Sequence, residues 1–426
     1  MMRLVLLLFS FFCTNLIAQP VEIIMWHSLA GSLGDEVKQL VTGFNNIQSD
    51  YIVRLAYKGE YTDSLTSFAA AFRAKQAPDI VQVSEVGTAT MLSPAGIIKP
   101  LHELMRETGI KLPIESFLPA VRAFYSIKGQ LQAMPFNTSV PVIFYNADAL
   151  SKVGVKTDRD FPKTWQEMQH LASKLRKAGN ACAYTSAYPA WIQIESFSAL
   201  HGLPMVDIKN RKAIYNNPGI IHHLERLNSW QTKHSFEYGG RTSDATVLFT
   251  SGRCAMFSQS SGSYNGLASL VNFRLGVAPM PLDLTVGHNR HNNVIGGAAL
   301  WTVVGKTAMV YRGIARFYEH IAEVGVQKRW HQNTGYIPVG LSGYYNKLAK
   351  DKDQPTLSLA EFDLMRESDN STSLYRIPQN QIRTINDEAL EAIFAGIKLP
   401  KAAMDDAVAR ANFTLMRFAR NAGEKF

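Results

Sequence analysis

Apolar positions along this chain follow two periods, and the two alternate. Residues 21–26, VEIIMW, are a short apolar run that predicts a strand; Val37, Leu40, Val41 and Phe44 then recur at i, i+3, i+4 and i+7, one face of a helix. A second strand is predicted over 52–57, a helix over 65–73 and a third strand over 79–83, which runs into Ser84-Glu85-Val86-Gly87. Strand–helix–strand alternation predicts a parallel sheet with helices on both faces. Ligands of such sheets sit beyond the carboxyl ends of strands, the positions of Tyr61 and Glu85 here.

Farther on, residues 134–147 (MPFNTSVPVIFYNA) read as a Pro-rich crossing followed by a strand, which marks a change of domain. Thr164-Trp165-Gln166-Glu167 is a capping box that opens a helix with Met168, Leu171, Ala172 and Leu175 on one face and Gly179 as its stop. A strand over 274–278 ends at Pro279-Met280-Pro281, and the polar stretch 283–293 reads as a surface loop. Residues 295–304 return to a strand, and a helix carries Ile314, Phe317 and Ile321. The end of the chain is helical: 382–394, then a stripe of Met404, Ala407, Val408, Ala411 and Leu415. There is no internal repeat and no low-complexity segment.

Composition narrows this. With 426 residues the chain exceeds one ordinary core, and two domains of about 150–200 residues each are expected. Met1-Met2-Arg3, the apolar run Leu4–Phe12 and Thr14-Asn15-Leu16-Ile17-Ala18 have the charge–apolar–polar order of a secretory signal peptide cut after Ala18. The exported chain keeps Cys182 and Cys254, which fit either a disulfide or two buried thiols. The formal charge of +9, one unit lower without Arg3, is scattered rather than clustered. It agrees with a mild preference for anions and not with nucleic-acid binding.

Candidate chemistry is sparse. HExxH, paired CxxC, P-loop, GxGxxG and GxSxG motifs are all missing, so no catalytic residue, metal ligand or cofactor is assigned. His222-His223 and His288/His291 read as solvated surface histidines. The stretch 251–266, SGRCAMFSQSSGSYNG, is more informative: a short strand empties into Ser258, Ser260, Ser261, Gly262 and Ser263, hydroxyl donors beside a closely approachable backbone. Such a surface suits an oxyanion, although Ser and Gly also simply make turns.

Several blocks together resemble the family 1 extracellular solute-binding proteins of ABC importers. They are Phe249-x-x-Gly252-x-x-Ala255-Met256, the run Leu275–Pro281, the Gly296-Gly297 strand and Gly335-Tyr336-Ile337-Pro338. The resemblance extends to Met25-Trp26-His27-Ser28, Tyr57–Tyr61, Ser84–Met91, Pro135–Ser139, Trp191-Ile192-Gln193, Ser260–Ser263, Trp330–Tyr336 and Gln381-Ile382-Arg383, so it spans nearly the whole mature chain. It is strongest toward the members that bind glycerol phosphates. It implies an α/β, two-lobed periplasmic binding protein fold of type II, maltose-binding-protein-like, with hinge strands around a ligand cleft. The lobes are expected from discontinuous segments: 1–18 signal peptide, 19–134 and 283–335 for lobe 1, 135–282 and 336–426 for lobe 2.

By the same resemblance, ligand contacts fall on Tyr61, Glu85, Ser139, Ser260, Gly297, Tyr336 and Arg383, with Tyr188 and Trp191 as cleft or core aromatics. The implied ligand is sn-glycerol-3-phosphate or a glycerophosphodiester such as glycerophosphocholine. The implied partners are the membrane permease subunits, for a monomer acting in the periplasm without catalysis. The chemistry agrees: Arg383 offers a bidentate fork to phosphate, Ser139, Ser260 and Tyr336 donate, and Gly297 offers an unobstructed N–H. Glu85 accepts from glycerol hydroxyls and is expected far from the phosphate. Two other readings stay open: an oligosaccharide receptor, which needs cleft aromatics and no obligatory Arg, and a secreted phosphodiester hydrolase.

Overall fold

A computed structural model describes residues 19–93, 96–156, 158–207, 209–340 and 377–422. The expected signal peptide and the stretch 341–376 lie outside the described residues. The strands of the two large sheets are, in chain order, β1 (Val21–His27), β2 (Tyr51–Tyr57), β3 (Ile80–Ser84), β4 (Met134–Ser139), β5 (Pro141–Asn146), β6 (Cys182–Ser186), β7 (Phe236–Tyr238), β8 (Cys254–Ser260), β9 (Leu275–Pro279) and β10 (Gly296–Thr302). The first sheet has the order β2-β1-β3-β10-β4 and the second β7-β6-β8-β5-β9.

The sheets are mixed rather than purely parallel. β1 pairs with β2 and β3 in parallel, but β10 runs antiparallel to both β3 and β4. β4 and β10 are the strands by which the chain leaves the first lobe and re-enters it, so neither closes a strand–helix–strand unit. β5 is likewise antiparallel to β8 and β9.

Two apolar cores are present, the first running from the first lobe onto one face of the second sheet. The first packs Ile23, Met25, Ile80 and Val81 against Val37, Val41 and Phe44 of the helix Gly31–Ile47. The second packs Met168, Leu171 and Leu175 of the helix Trp165–Lys177 with Leu390 and Ile393 of the helix Gln379–Phe394 and Met404 and Ala411 of the helix Pro400–Ala422. Along β5 the alternation of a strand divides the two: Val142 and Phe144 face one core, Ile143 and Tyr145 the other. The capping box forms as the spacing predicts, with Thr164 Oγ1 accepting from Glu167 N at 3.1 Å and Glu167 Oε2 accepting from Thr164 N at 3.0 Å.

The crossings between lobes fall a few residues from the expected boundaries. β4 stays in the first sheet to Ser139 and β5 starts the second at Pro141, so the first crossing is at Val140 rather than after residue 134. Asp283 still belongs to the second lobe, where its Oδ1 accepts from Gln166 Nε2 at 2.8 Å. Residues 337–340 stay with the first: Ile337 N donates to Thr138 O at 2.8 Å, and Gly340 bridges Phe117.

Two surface assignments are corrected. His223 is fully buried, stacked 4.1 Å from Phe197, because it lies on the apolar stripe Ile220-His223-Leu224-Leu227-Trp230 of its helix. The stretch 283–293 is not a free surface loop, since Asp283, Asn292 and Asn293 are buried; Asp283 also forms an ion pair with Arg226. Cys182 and Cys254, directly paired residues of β6 and β8, form a disulfide. Glu237 lies close enough to the two sulfurs for the three to hold a metal ion, but both sulfurs are engaged in that bond.

Candidate functional site

The crossings converge at one seam, and most of the expected ligand contacts lie along it. Ser139 ends β4 opposite Gly296, and Thr138 lies opposite Gly297 on β10. Ser260 ends β8 opposite Pro141, while Val140 and Ser261 exchange two hydrogen bonds, Ser261 N to Val140 O at 2.9 Å and Val140 N to Ser261 Oγ at 3.2 Å. Tyr336 directly precedes the bridge of Ile337 to Thr138, and its ring stacks on Trp330 at 6.0 Å.

Two glycines have steric reasons at this seam. Gly297 has φ +97°, and a Cβ there would lie 1.6 Å from Asn137 O. It sits just before the register shift between Ala298 and Ala299, a bulge that only glycine accommodates at this approach. Gly262 leaves room for Tyr336, since a Cβ would fall 2.5 Å from its ring. Ser260 Oγ is not idle: it accepts from Gly262 N at 3.2 Å, and its hydroxyl hydrogen remains available to donate.

A buried polar relay supports the tyrosines. Gln82 Nε2 donates to Asn137 Oδ1 at 2.8 Å, and Asn137 Nδ2 donates to Tyr61 Oη at 3.0 Å. Gln82 in turn accepts from Ser28 N at 2.8 Å. Burial pushes the Tyr61 hydroxyl well above the usual tyrosine range, with the nearby Tyr336 adding to the effect. Burial likewise raises Tyr336. Both therefore stay protonated and able to donate.

Arg383 lies on the helix Gln379–Phe394 of the second lobe and is held by carboxylates from both lobes. Its Nη1 donates to Glu85 Oε1 at 2.8 Å; its Nε and Nη2 donate to Glu195 Oε1 and Oε2 at 2.9 and 2.6 Å. This corrects the expectation that Glu85 sits far from the cationic anchor. Glu85 caps the carboxyl end of β3, and the second-lobe helix brings Arg383 directly onto it. The Glu85 carboxyl is raised by burial, with Arg383 acting against that rise. Burial acts to lower Arg383, but Glu195 and Glu85 outweigh it and leave it above the usual arginine value. One turn along the helix, burial pushes Asp387 up to about 7 against the opposing pull of Arg383, and its Oδ1 makes no hydrogen bond among the described residues.

The two aromatics lie at the same seam. Trp191 is 5% exposed, its ring edge 2.5 Å from where a Gly296 Cβ would be, and Ser139 Oγ is 3.0 Å from that same point. Its Nε1 makes no hydrogen bond among the described residues. Tyr188 meets Trp191 edge-on at 6.4 Å, packs against both cores and has φ +41°.

Asn137, Gln82, Glu195, Gln379 and Asp387 were not singled out from the sequence. Asn137 follows the apolar run Met134–Phe136 in a wholly buried strand; Glu195 carried no signal, because it arrives on a π-helical turn, Ala190–Ser196, that no periodicity marks.

The fold recurs in solved structures. UgpB from Mycobacterium tuberculosis, in complex with glycerophosphocholine, has a TM-score of 0.78 at 20% identity, covering 93% of this chain and 98% of that one. The GacH receptor of Streptomyces glaucescens has a TM-score of 0.77 at 17% identity, covering 94% and 99%. At these identities the likeness is one of fold. Sequence relatives are nearer. The sn-glycerol-3-phosphate-binding periplasmic protein UgpB of Yersinia pseudotuberculosis is 38% identical over 413 residues, 93% of each chain. Its Salmonella typhimurium counterpart is 38% identical over 415 residues, 93% of this chain and 92% of that one. Both are named for binding rather than for catalysis. The profile of the bacterial extracellular solute-binding proteins matches residues 39–354. By these matches the chain belongs to the bacterial extracellular solute-binding protein family.

Proposed function

We propose that this chain is the periplasmic capture protein of an ABC importer for glycerol phosphates. It takes up sn-glycerol-3-phosphate, and diesters such as glycerophosphocholine, between its lobes and hands them as a monomer to membrane permease subunits, without catalysis. The observation that carries this reading is the position of Arg383: a second-lobe guanidinium held against the first-lobe carboxylate Glu85. Relatives at 38% identity over 93% of the chain are named for sn-glycerol-3-phosphate.

The residues divide the work as follows. Arg383 anchors the phosphate with the help of Ser139, Ser260, Tyr336 and the Gly297 N–H, while Tyr61 and Glu85 meet the glycerol hydroxyls. Because Glu85 already occupies Nη1 of Arg383, an arriving phosphate oxygen exchanges with it, and Glu85 turns to the hydroxyls. Tyr188 and Trp191 form the wall toward the cleft mouth, where the ring of Tyr188 meets the quaternary ammonium of a choline diester, a contact worth about 0.5–2 kcal/mol. The left-handed backbone of Tyr188 supports a functional placement, since such strain of about 1–3 kcal/mol gathers at sites.

Calorimetric titration with glycerol-3-phosphate, glycerophosphocholine and maltose tests the reading. Heat and saturation with either phosphoester and none with maltose is the expected result. Saturation with maltose alone would replace this reading with the oligosaccharide one.

A further inference from the structure

Arg383 is gripped on one edge by a residue to which the functional reading gives no role. Glu195 accepts from Nε at 2.9 Å and from Nη2 at 2.6 Å, a side-on bidentate pair that fixes the plane of the guanidinium. Its Oε2 also accepts from Gln379 Nε2 at 2.7 Å, and Gln379 lies one turn before Arg383 on the same helix. The Glu195 side chain is 1% exposed, against 19% for Arg383. It comes from the turn Ala190–Ser196, which also carries Trp191, so the grip and the aromatic wall are parts of one buried element.

Glu85 is a different kind of partner. It takes a single N–H of Arg383 and belongs to the opposite lobe. A guanidinium has five N–H donors. Glu195 takes two and Glu85 one, which leaves one on Nη1 and one on Nη2 without a hydrogen bond among the described residues. An incoming oxyanion can exchange with Glu85, whereas the edge held by Glu195 and braced by Gln379 stays closed.

We propose that Glu195 is the positioning residue of the anion anchor: by holding the Nε–Nη2 edge of Arg383 it presents the opposite edge to the cleft and makes the phosphate contact directional. The proposal rests on the reading of Arg383 as the ligand's anchor. A bare structural ion pair would also bury Glu195, so the test must separate the two.

The test is a double-substitution cycle read by calorimetry with glycerol-3-phosphate, using Glu195→Gln in the native and in the Arg383→Lys background. Gln keeps the shape but offers an amide N–H where Arg383 needs an acceptor. Binding is expected to weaken about tenfold or more in the native background. In the Arg383→Lys background, where the ammonium has no fork to orient, it is expected to weaken by less than about twofold. No weakening in the native background, or equal weakening in both, overturns the proposal. A second arm needs no ligand. The Nε–H of Arg383, followed by nitrogen-15 NMR, is expected to exchange slowly with solvent in the native protein and fast in Glu195→Gln; unchanged exchange overturns the proposal. A native protein that binds no phosphoester defeats the functional reading, while the Nε–H arm still decides whether Glu195 holds that edge of the guanidinium.

Discussion

Arg383→Ala should damage both binding and stability, with a distinctive pH dependence. On the binding side, a charge-assisted bidentate contact is worth about 3 kcal/mol, so phosphoester affinity should fall about a hundredfold. On the stability side, alanine is a good helix former, so the helix Gln379–Phe394 is not itself weakened. What remains is Glu195 at 1% and Glu85 at 8% side-chain exposure, both without their cation. Removing one member of a buried ionic set costs about 3–5 kcal/mol. The 19% exposure of Arg383 favours the lower end, about 3 kcal/mol.

The pH sign follows from the same groups. In the variant, burial disfavours the ionised Glu85 carboxyl without Arg383 to act against it, so Glu85 is raised further above its unfolded value. A carboxyl raised in the folded state contributes stability at low pH, and that contribution is lost as pH rises through its folded pKa. Urea unfolding of native and Arg383→Ala protein at pH 5 and pH 8 should therefore show a wide gap at pH 8 and a narrow one at pH 5. Equal stability at pH 8, or the same gap at both pH values, would refute the reasoning that the carboxylates depend on Arg383.

Other perturbations follow from single observations. Asp387→Asn should change little near pH 4 and stabilise at pH 8, because burial lifts the folded Asp387 carboxyl to about 7 and the stability carried by its protonated form is lost as pH rises from the unfolded value through the folded one; melting curves across this range check it. Gly297→Ala should destabilise by on the order of 3 kcal/mol, because it combines a positive φ with a Cβ 1.6 Å from Asn137 O, and thermal melts read this directly. Reducing the Cys182–Cys254 disulfide, which spans 72 residues, should cost about 4 kcal/mol in urea unfolding with and without reductant.

Periodicity made the framework legible. The stripe Val37, Leu40, Val41 and Phe44 and the capping box at Thr164 each declare a helix from neighbours three and four residues apart, because a helix face and a cap are local. The seam is not local. Ser139, Gly297 and Tyr336 meet through strand pairing and a bridge between segments far apart in sequence, and only the family resemblance drew them together. Arg383 and Glu85 are 298 residues apart, and residue types alone assigned them to opposite ends of the ligand; the packing of a second-lobe helix on the end of β3 put them in contact. Glu195 was invisible for a further reason, since a π-helical turn has no period that marks its inward face. His223 was misplaced for the opposite reason: its apolar stripe was present in the sequence, and the adjacent pair of histidines drew attention from it.

The central claim is that a glycerophosphoester is bound at the seam between the lobes with its phosphate on Arg383. A crystal structure of the protein with glycerol-3-phosphate tests it most directly. The account predicts phosphate oxygens within hydrogen-bond distance of Arg383 and of the Ser139, Ser260 and Tyr336 hydroxyls, with Glu85 moved from Nη1 to the glycerol hydroxyls and Glu195 still holding Nε and Nη2. A ligand bound away from Arg383, or a bound ligand that leaves the Glu85–Arg383 pair intact, would contradict it.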